Sequence, residues 1–88
     1  MLFSAMSAHS RLQPHCSIDN LRVRIHLGIT VPKHTGIRVG SETRTWVEGR
    51  CLAFEDSFEH EVWNQSDARR IVLIADLWHP DQIGRAHV

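Results

Sequence analysis

Seven histidines and three tryptophans are a large supply of chemistry-bearing side chains for 88 residues. His15 follows a proline just ahead of a long β-like stretch, and His60 stands in Phe58-Glu59-His60-Glu61-Val62-Trp63. Two histidines far apart in sequence can meet on neighbouring strands and hold a divalent metal through neutral imidazole nitrogen. Spacing alone makes that a weak signal. Arg24 and His26 share one face of a strand, and Arg70 opens a stretch that is otherwise nearly all apolar. A guanidinium entering a buried strand needs an anionic partner. The plainer solution is an ion pair with Asp56 or Asp76; a bound carboxylate ligand is the other. Cys16 and Cys51 make neither a metal knuckle nor a disulfide framework and read as small buried hydrophobes.

The elements that must position these groups are strands. Residues 21–31 alternate without a break: Leu21, Val23, Ile25, Leu27, Ile29 and Val31 on one face, Arg22, Arg24, His26, Gly28 and Thr30 on the other. Strict period two marks a half-buried strand, which Pro32 ends. Shorter strands are expected over 37–39, 43–47, 50–54 and 60–63, with one more candidate over 2–6. Turn signals fall at Gly40-Ser41, Glu48-Gly49 and 64–67. The last strong strand, 70–78, places Arg70, Val72, Ile74 and Asp76 on one face and Ile71, Leu73, Ala75 and Leu77 on the other. Short strands separated by turns indicate an all-β sandwich or barrel. Glu59 and Glu61 flank His60 and are expected to face away from it. The three tryptophans read as core packing. His9, His34, His79 and His87 have no assignable role, and Arg22 reads as solvated or paired.

Composition limits the function classes. Ten basic and ten acidic side chains leave no net charge, so nothing favours a nucleic-acid or anionic-membrane partner. No apolar run reaches the roughly 18 residues of a spanning helix, and the start lacks a signal-peptide pattern. A reduced, cytoplasmic setting is the bland expectation. The last six residues break the strand pattern. Read back through the genetic code, ATC-GGA-AGA-GCA-CAC-GTC matches a sequencing-library adapter, so 83–88 is expected to be a non-native tail after a domain spanning 1–82.

Two blocks of sequence carry a family resemblance. Residues 3–32 hold a serine (Ser4), then Pro14-His15, Asn20 and Leu21-Arg22-Val23-Arg24-Ile25-His26-Leu27-Gly28. Residues 42–81 hold Thr45-Trp46-Val47-Glu48-Gly49, then Glu55-Asp56-Ser57-Phe58-Glu59-His60-Glu61-Val62-Trp63, then Arg70 and Asp76-Leu77-Trp78-His79-Pro80. In this order they resemble the aspartyl/asparaginyl β-hydroxylase family of iron- and 2-oxoglutarate-dependent dioxygenases, over nearly the whole chain.

The resemblance implies a double-stranded β-helix, a jelly-roll barrel, which the chain is expected to hold in incomplete form: roughly six or seven strands are visible against about eight. It implies Fe(II) on His15 and His60, with Arg70 and Ser4 gripping the far carboxylate of 2-oxoglutarate and His26 near its metal-binding end. A guanidinium suits a carboxylate because it offers two parallel hydrogen bonds. Arg24 would take an acidic peptide, protein or small-molecule substrate, and Asp56 would support the metal through a water. Dioxygen is the remaining reactant, and the implied product is a hydroxylated carbon, most naturally the β-carbon of an aspartyl or asparaginyl residue. Ser17 stands where most relatives in the wider superfamily carry a carboxylate ligand. The β-hydroxylases tolerate that loss, whereas lipid A acyl-chain hydroxylases tend to keep an aspartate. Alternatives are a lipid or free amino acid hydroxylase, or a cupin-like module that binds a metal or carboxylate without turnover.

Overall fold

The computed structural model describes residues 1–15, 22–55 and 57–78, with Arg22 and Trp78 described by backbone alone. Among the described residues eight strands follow in chain order: β1 (Leu2–Met6), β2 (Ser10–His15), β3 (Arg22–Thr30), β4 (Thr35–Val39), β5 (Glu42–Arg44), β6 (Cys51–Glu55), β7 (His60–Asn64) and β8 (Arg70–Trp78). They form two four-stranded antiparallel sheets, ordered β1-β8-β3-β6 and β2-β7-β4-β5. The pairings β1 with β8, β2 with β7, β3 with β6 and β4 with β5 nest inside one another. One long hairpin has wound over, so that β8 also pairs β3 and β7 also pairs β4. This is the jelly-roll arrangement.

The count exceeds the sequence reading by the strand β2. Ser10-Arg11-Leu12-Gln13-Pro14-His15 has no apolar alternation, lies at a sheet edge and is exposed along nearly all its length. Its register slips between Leu12 and His15, around Pro14, which lacks the N–H a regular ladder needs. Other boundaries move little, except that β5 stops at Arg44 and leaves 45–47 irregular.

Ile37, Trp46, Leu52, Phe54, Val62 and Val72 are buried between the sheets, with Met6, Val31, Val39 and Ile74 packed on them. The long strand β3 turns its polar face to this interior: His26 and Gly28 are buried, while Val23, Ile25 and Leu27 are half-covered and Ile29 is exposed. Period two separates the two faces but does not name the inner one, and here the inner one carries the chemistry. Cys51 is exposed at the start of β6, contrary to the buried-hydrophobe expectation, because it takes the outward parity while Leu52 and Phe54 point in. Cys16, Ser17, Asp56, His79, His87 and the expected tail at 83–88 lie outside the described residues.

Candidate functional site

A cavity of about 330 Å³ opens between the sheets. It is lined by Ser4, Arg24, His26, Arg70, His15 and His60, with Phe54, Met6, Val62 and Ile74 among the apolar walls. Strand parity explains this assembly. Arg24 and His26 alternate inward on β3, Arg70 and Ile74 on β8, Ser4 on β1 and His60 on β7.

His15 and His60 are opposite each other in the β2–β7 register, with ring centroids 4.3 Å apart. Each ring is held by the backbone two residues earlier: His15 Nδ1 lies 2.9 Å from the Gln13 carbonyl and His60 Nδ1 lies 2.8 Å from the Phe58 carbonyl. A carbonyl oxygen only accepts, so both Nδ1 atoms donate and the lone pair sits on each Nε2. That tautomer is the one a metal takes.

His26 is wired the other way. The Trp46 indole donates from Nε1 to His26 Nδ1 at 3.1 Å, within the core. Burial, helped by the positive charges of Arg70 and Arg24, pushes the His26 pKa down from 6.5 to about 4. The ring is therefore neutral near pH 7 with its proton on Nε2, and that buried Nε2 has no hydrogen-bond partner.

Arg70 is buried at the first position of β8, and burial lowers its pKa. One Nη donates to Ser4 Oγ at 3.1 Å. Ser4 and Arg70 are diagonal neighbours, since Ser4 pairs with Val72 and Arg70 with Met6. The guanidinium also stacks over the Trp46 ring, 4.7 Å from its centroid. Its Nε has no partner, and among the described residues no carboxylate pairs with it. Asp76, the ion-pair candidate within that set, is engaged by Arg24 instead through Nε–Oδ1 at 2.9 Å and Nη–Oδ2 at 3.2 Å. The two are direct cross-strand partners. Arg24, expected at the substrate carboxylate, thus faces the cavity already held by an acid.

Glu61 points out of the barrel as expected. It accepts from Arg38 Nε at 2.8 Å, and Arg38 lowers its pKa; Arg38 also reaches Glu59 at 3.1 Å. His9 pairs with Asp67 on the surface and His34 occupies a turn. Trp46 is core, as read from sequence, yet its polar contact with His26 escaped that reading. The Thr45-Trp46 motif was the only available signal.

The donor set fits a divalent metal. Two imidazoles present Nε2 lone pairs from adjacent strands, and among the described residues no group of three or more His, Cys, Asp or Glu side chains is placed to hold a metal. Were both to ligate a metal, most coordination positions would be left for a chelating small molecule. The unpartnered Nε2–H of His26 and Nε–H of Arg70, buried beside the same cavity, fit an anion bearing several acceptor oxygens.

Comparison with known proteins speaks to the family and to the fold. A family model described as Aspartyl/Asparaginyl beta-hydroxylase matches residues 1–80. The chain is 46% identical to the mouse aspartyl/asparaginyl beta-hydroxylase and 45% identical to the human one over 80 residues, covering 90% of this chain and 11% of each relative. It is 42% identical over 85 residues to the mouse aspartate beta-hydroxylase domain-containing protein 1, covering 93% of this chain and 24% of that protein. The chain therefore spans a small part of the length of these relatives. Among solved structures, the TT1209 protein of Thermus thermophilus superposes with a TM-score of 0.67 at 16% identity, covering 89% of this chain and 70% of that one. A Cupin 2 conserved barrel domain protein from Salinispora arenicola gives 0.64 at 14% identity, covering 94% and 65%. At such identities these two speak for the barrel fold alone.

Proposed function

This chain belongs to the aspartyl/asparaginyl β-hydroxylase family, and from that premise we propose that it is the catalytic barrel of an Fe(II)- and 2-oxoglutarate-dependent hydroxylase acting on aspartyl or asparaginyl side chains of a peptide or protein. The observation that carries this reading is the pairing, in one cavity, of two histidines with Nε2 lone pairs and a buried arginine that lacks a carboxylate partner among the described residues.

His15 and His60 would hold the iron. Bound there, Fe(II) with 2-oxoglutarate would supply the activation of dioxygen, one oxygen atom going to succinate as CO₂ is lost and the other to the hydroxyl group of the product. The chain's own residues do the positioning. Arg70 and Ser4 anchor the far carboxylate, and the Nε2–H of His26 donates to an oxygen at the opposite end of the cosubstrate. Phe54 contacts both His26 and His60, with ring centroids 5.1 and 5.2 Å away, and keeps the ground between them apolar. Arg24 receives the acidic side chain of the substrate while Asp76 fixes its guanidinium plane. Asp56, for which the resemblance implies a supporting role at the metal, lies outside the described residues.

Arg70→Lys tests the cosubstrate site because it keeps the charge and loses the fork. Binding of 2-oxoglutarate should weaken by about 1–3 kcal/mol, the scale of a hydrogen bond to a charged group, with the fold retained. Equal binding by parent and variant would show that Arg70 is structural. Anaerobic addition of Fe(II) and 2-oxoglutarate should give a visible charge-transfer band, and admission of air should release succinate. A band without succinate in the presence of Asp- and Asn-containing peptides would favour a binding module over an enzyme.

A further inference from the structure

The two orphan donors of the cavity have one neighbour in common. Trp46 gives its Nε1–H to His26 and its ring face to Arg70. An indole nitrogen can only donate, so the contact at 3.1 Å requires a lone pair on His26 Nδ1 and places the imidazole proton on Nε2. We propose that Trp46 is a positioning residue that locks His26 as an Nε2–H donor and seats the Arg70 guanidinium, so that both donors are set before a dicarboxylate ligand arrives.

The fold invests several contacts in placing this indole. Trp46 belongs to no strand; it sits in the irregular link between β5 and β6. That link is tied down at both ends. Thr45 Oγ1 donates to the Thr35 carbonyl at 3.1 Å, and the Glu48 carboxylate accepts from Val31 N–H at 3.2 Å. Gly28 N–H donates to the Arg50 carbonyl and Gly49 N–H to the Gly28 carbonyl. Gly28 itself makes the approach possible, since a Cβ there would lie 2.6 Å from the Val47 carbonyl oxygen. Gly49 takes a left-handed φ of 81° that reverses the link.

The lock also divides labour among three histidines in one cavity. His15 and His60 donate through Nδ1 to backbone carbonyls and keep Nε2 lone pairs. His26 accepts at Nδ1 and carries its proton on a buried, unpartnered Nε2 beside the cavity. A proton there blocks metal ligation through that atom and offers a hydrogen bond to an oxygen ligand instead. Without the indole, the neutral imidazole would distribute between its two tautomers. The cation–π contact meanwhile supports a buried guanidinium that has no carboxylate partner among the described residues.

The tautomer claim stands on geometry alone, whereas its use for a ligand rests on the function proposed above. Long-range ¹H–¹⁵N correlation on the metal-free protein labelled at histidine should show His26 as the Nε2–H tautomer. In Trp46→Phe, which keeps a π face and loses the donor, His26 should become a mixture of tautomers or shift to Nδ1–H. With Zn(II) in place of iron, 2-oxoglutarate should bind this variant about tenfold or more weakly, the size typical of a residue that orients a ligating group. A wild-type His26 protonated on Nδ1 overturns the lock, and this holds even if the variant fails to fold. An unchanged tautomer in a folded Trp46→Phe protein overturns it too. A shifted tautomer with undiminished 2-oxoglutarate binding refutes the preset-donor role. A shifted tautomer with no 2-oxoglutarate binding by either protein leaves the lock standing and removes the proposed cosubstrate instead.

Discussion

Hydrogen-bond direction, more than residue type, distinguishes the histidines of this cavity. His15, His26 and His60 are alike in the sequence, and the resemblance alone separates ligand from non-ligand there. In the fold the three rings differ in what each Nδ1 touches, which accords with the proposed roles. His15→Ala or His60→Ala should abolish both metal uptake and turnover, since each removes half of the protein donor set; isothermal titration with a surrogate divalent metal checks the first and succinate release the second. His26 predicts something different, a stability that depends on pH. Its pKa is about 4 in the fold against 6.5 ordinarily, so the unfolded chain takes up the proton first as pH falls. The stabilisation is complete above about pH 6.5 and is lost as pH drops toward 4, by up to about 3 kcal/mol. Urea unfolding of the metal-free protein between pH 7 and 4.5 should show the loss. Glu61, with its lowered pKa, contributes a loss of the same sign, so His26→Gln is the control. It should flatten the profile, and an unchanged slope would assign the effect to the carboxylates.

The elements hold these groups through a few buried tethers between turns. Asn64, at the end of β7, is fully buried; its two Nδ2 protons are shared among the carbonyls of Met6, Ser7 and Ala68, while its Oδ1 accepts from the backbone and hydroxyl of Ser66. It ties the β1–β2 turn to the β7–β8 turn, beside Arg70 at the start of β8. Asn64→Ala leaves buried carbonyls unsatisfied and should cost about 2–4 kcal/mol in a denaturant titration; a loss under 1 kcal/mol would mean water replaces the amide. Gly36→Ala should also destabilise, because a Cβ there meets the Trp63 ring at 2.5 Å and the overpacking scale is about 1–3 kcal/mol. Much of this element layout was legible. The period-two runs of β3 and β8, the turn at Gly40-Ser41 and the parity of Arg24, His26 and Arg70 all follow from residue order. β2 was not legible, since an exposed edge strand holding a proline has no apolar rhythm. Nor was the inward face of β3, because a barrel built around a polar site inverts the usual rule that the apolar side is the buried one. The Arg24–Asp76 bond depends on a β3–β8 register that only the folded sheet displays.

At the scale of the molecule, that inversion has a consequence for the outer surface. With Arg24, His26, Val72 and Ile74 turned inward, the opposite parity of the β1-β8-β3-β6 sheet presents Phe3, Leu73, Leu77, Ile25, Leu27 and Ile29 outward. Phe3 is 69%, Leu77 56% and Ile29 41% exposed. Register joins these side chains into one surface: Phe3 pairs with Leu73, Leu73 with Leu27, and Leu77 with Val23. A contiguous apolar sheet face is a site of association in any chain that leaves it uncovered. Charge gives no protection, because ten basic and ten acidic groups cancel and the isoelectric point is about 7.1, which removes long-range repulsion near neutral pH. The 88-residue chain on its own should therefore self-associate at micromolar concentration and enhance the fluorescence of an apolar dye. Leu27→Lys with Leu73→Lys places two charges at the centre of the face, on side chains pointing away from the cavity. The double variant should suppress both association and dye binding while leaving the histidine tautomers of the cavity as they are. Light scattering after size exclusion, across a concentration series, measures it. A parent chain that remains monomeric and dye-silent would show that this face is covered, and a double variant that associates as strongly as the parent would place the sticky surface at an open sheet edge instead.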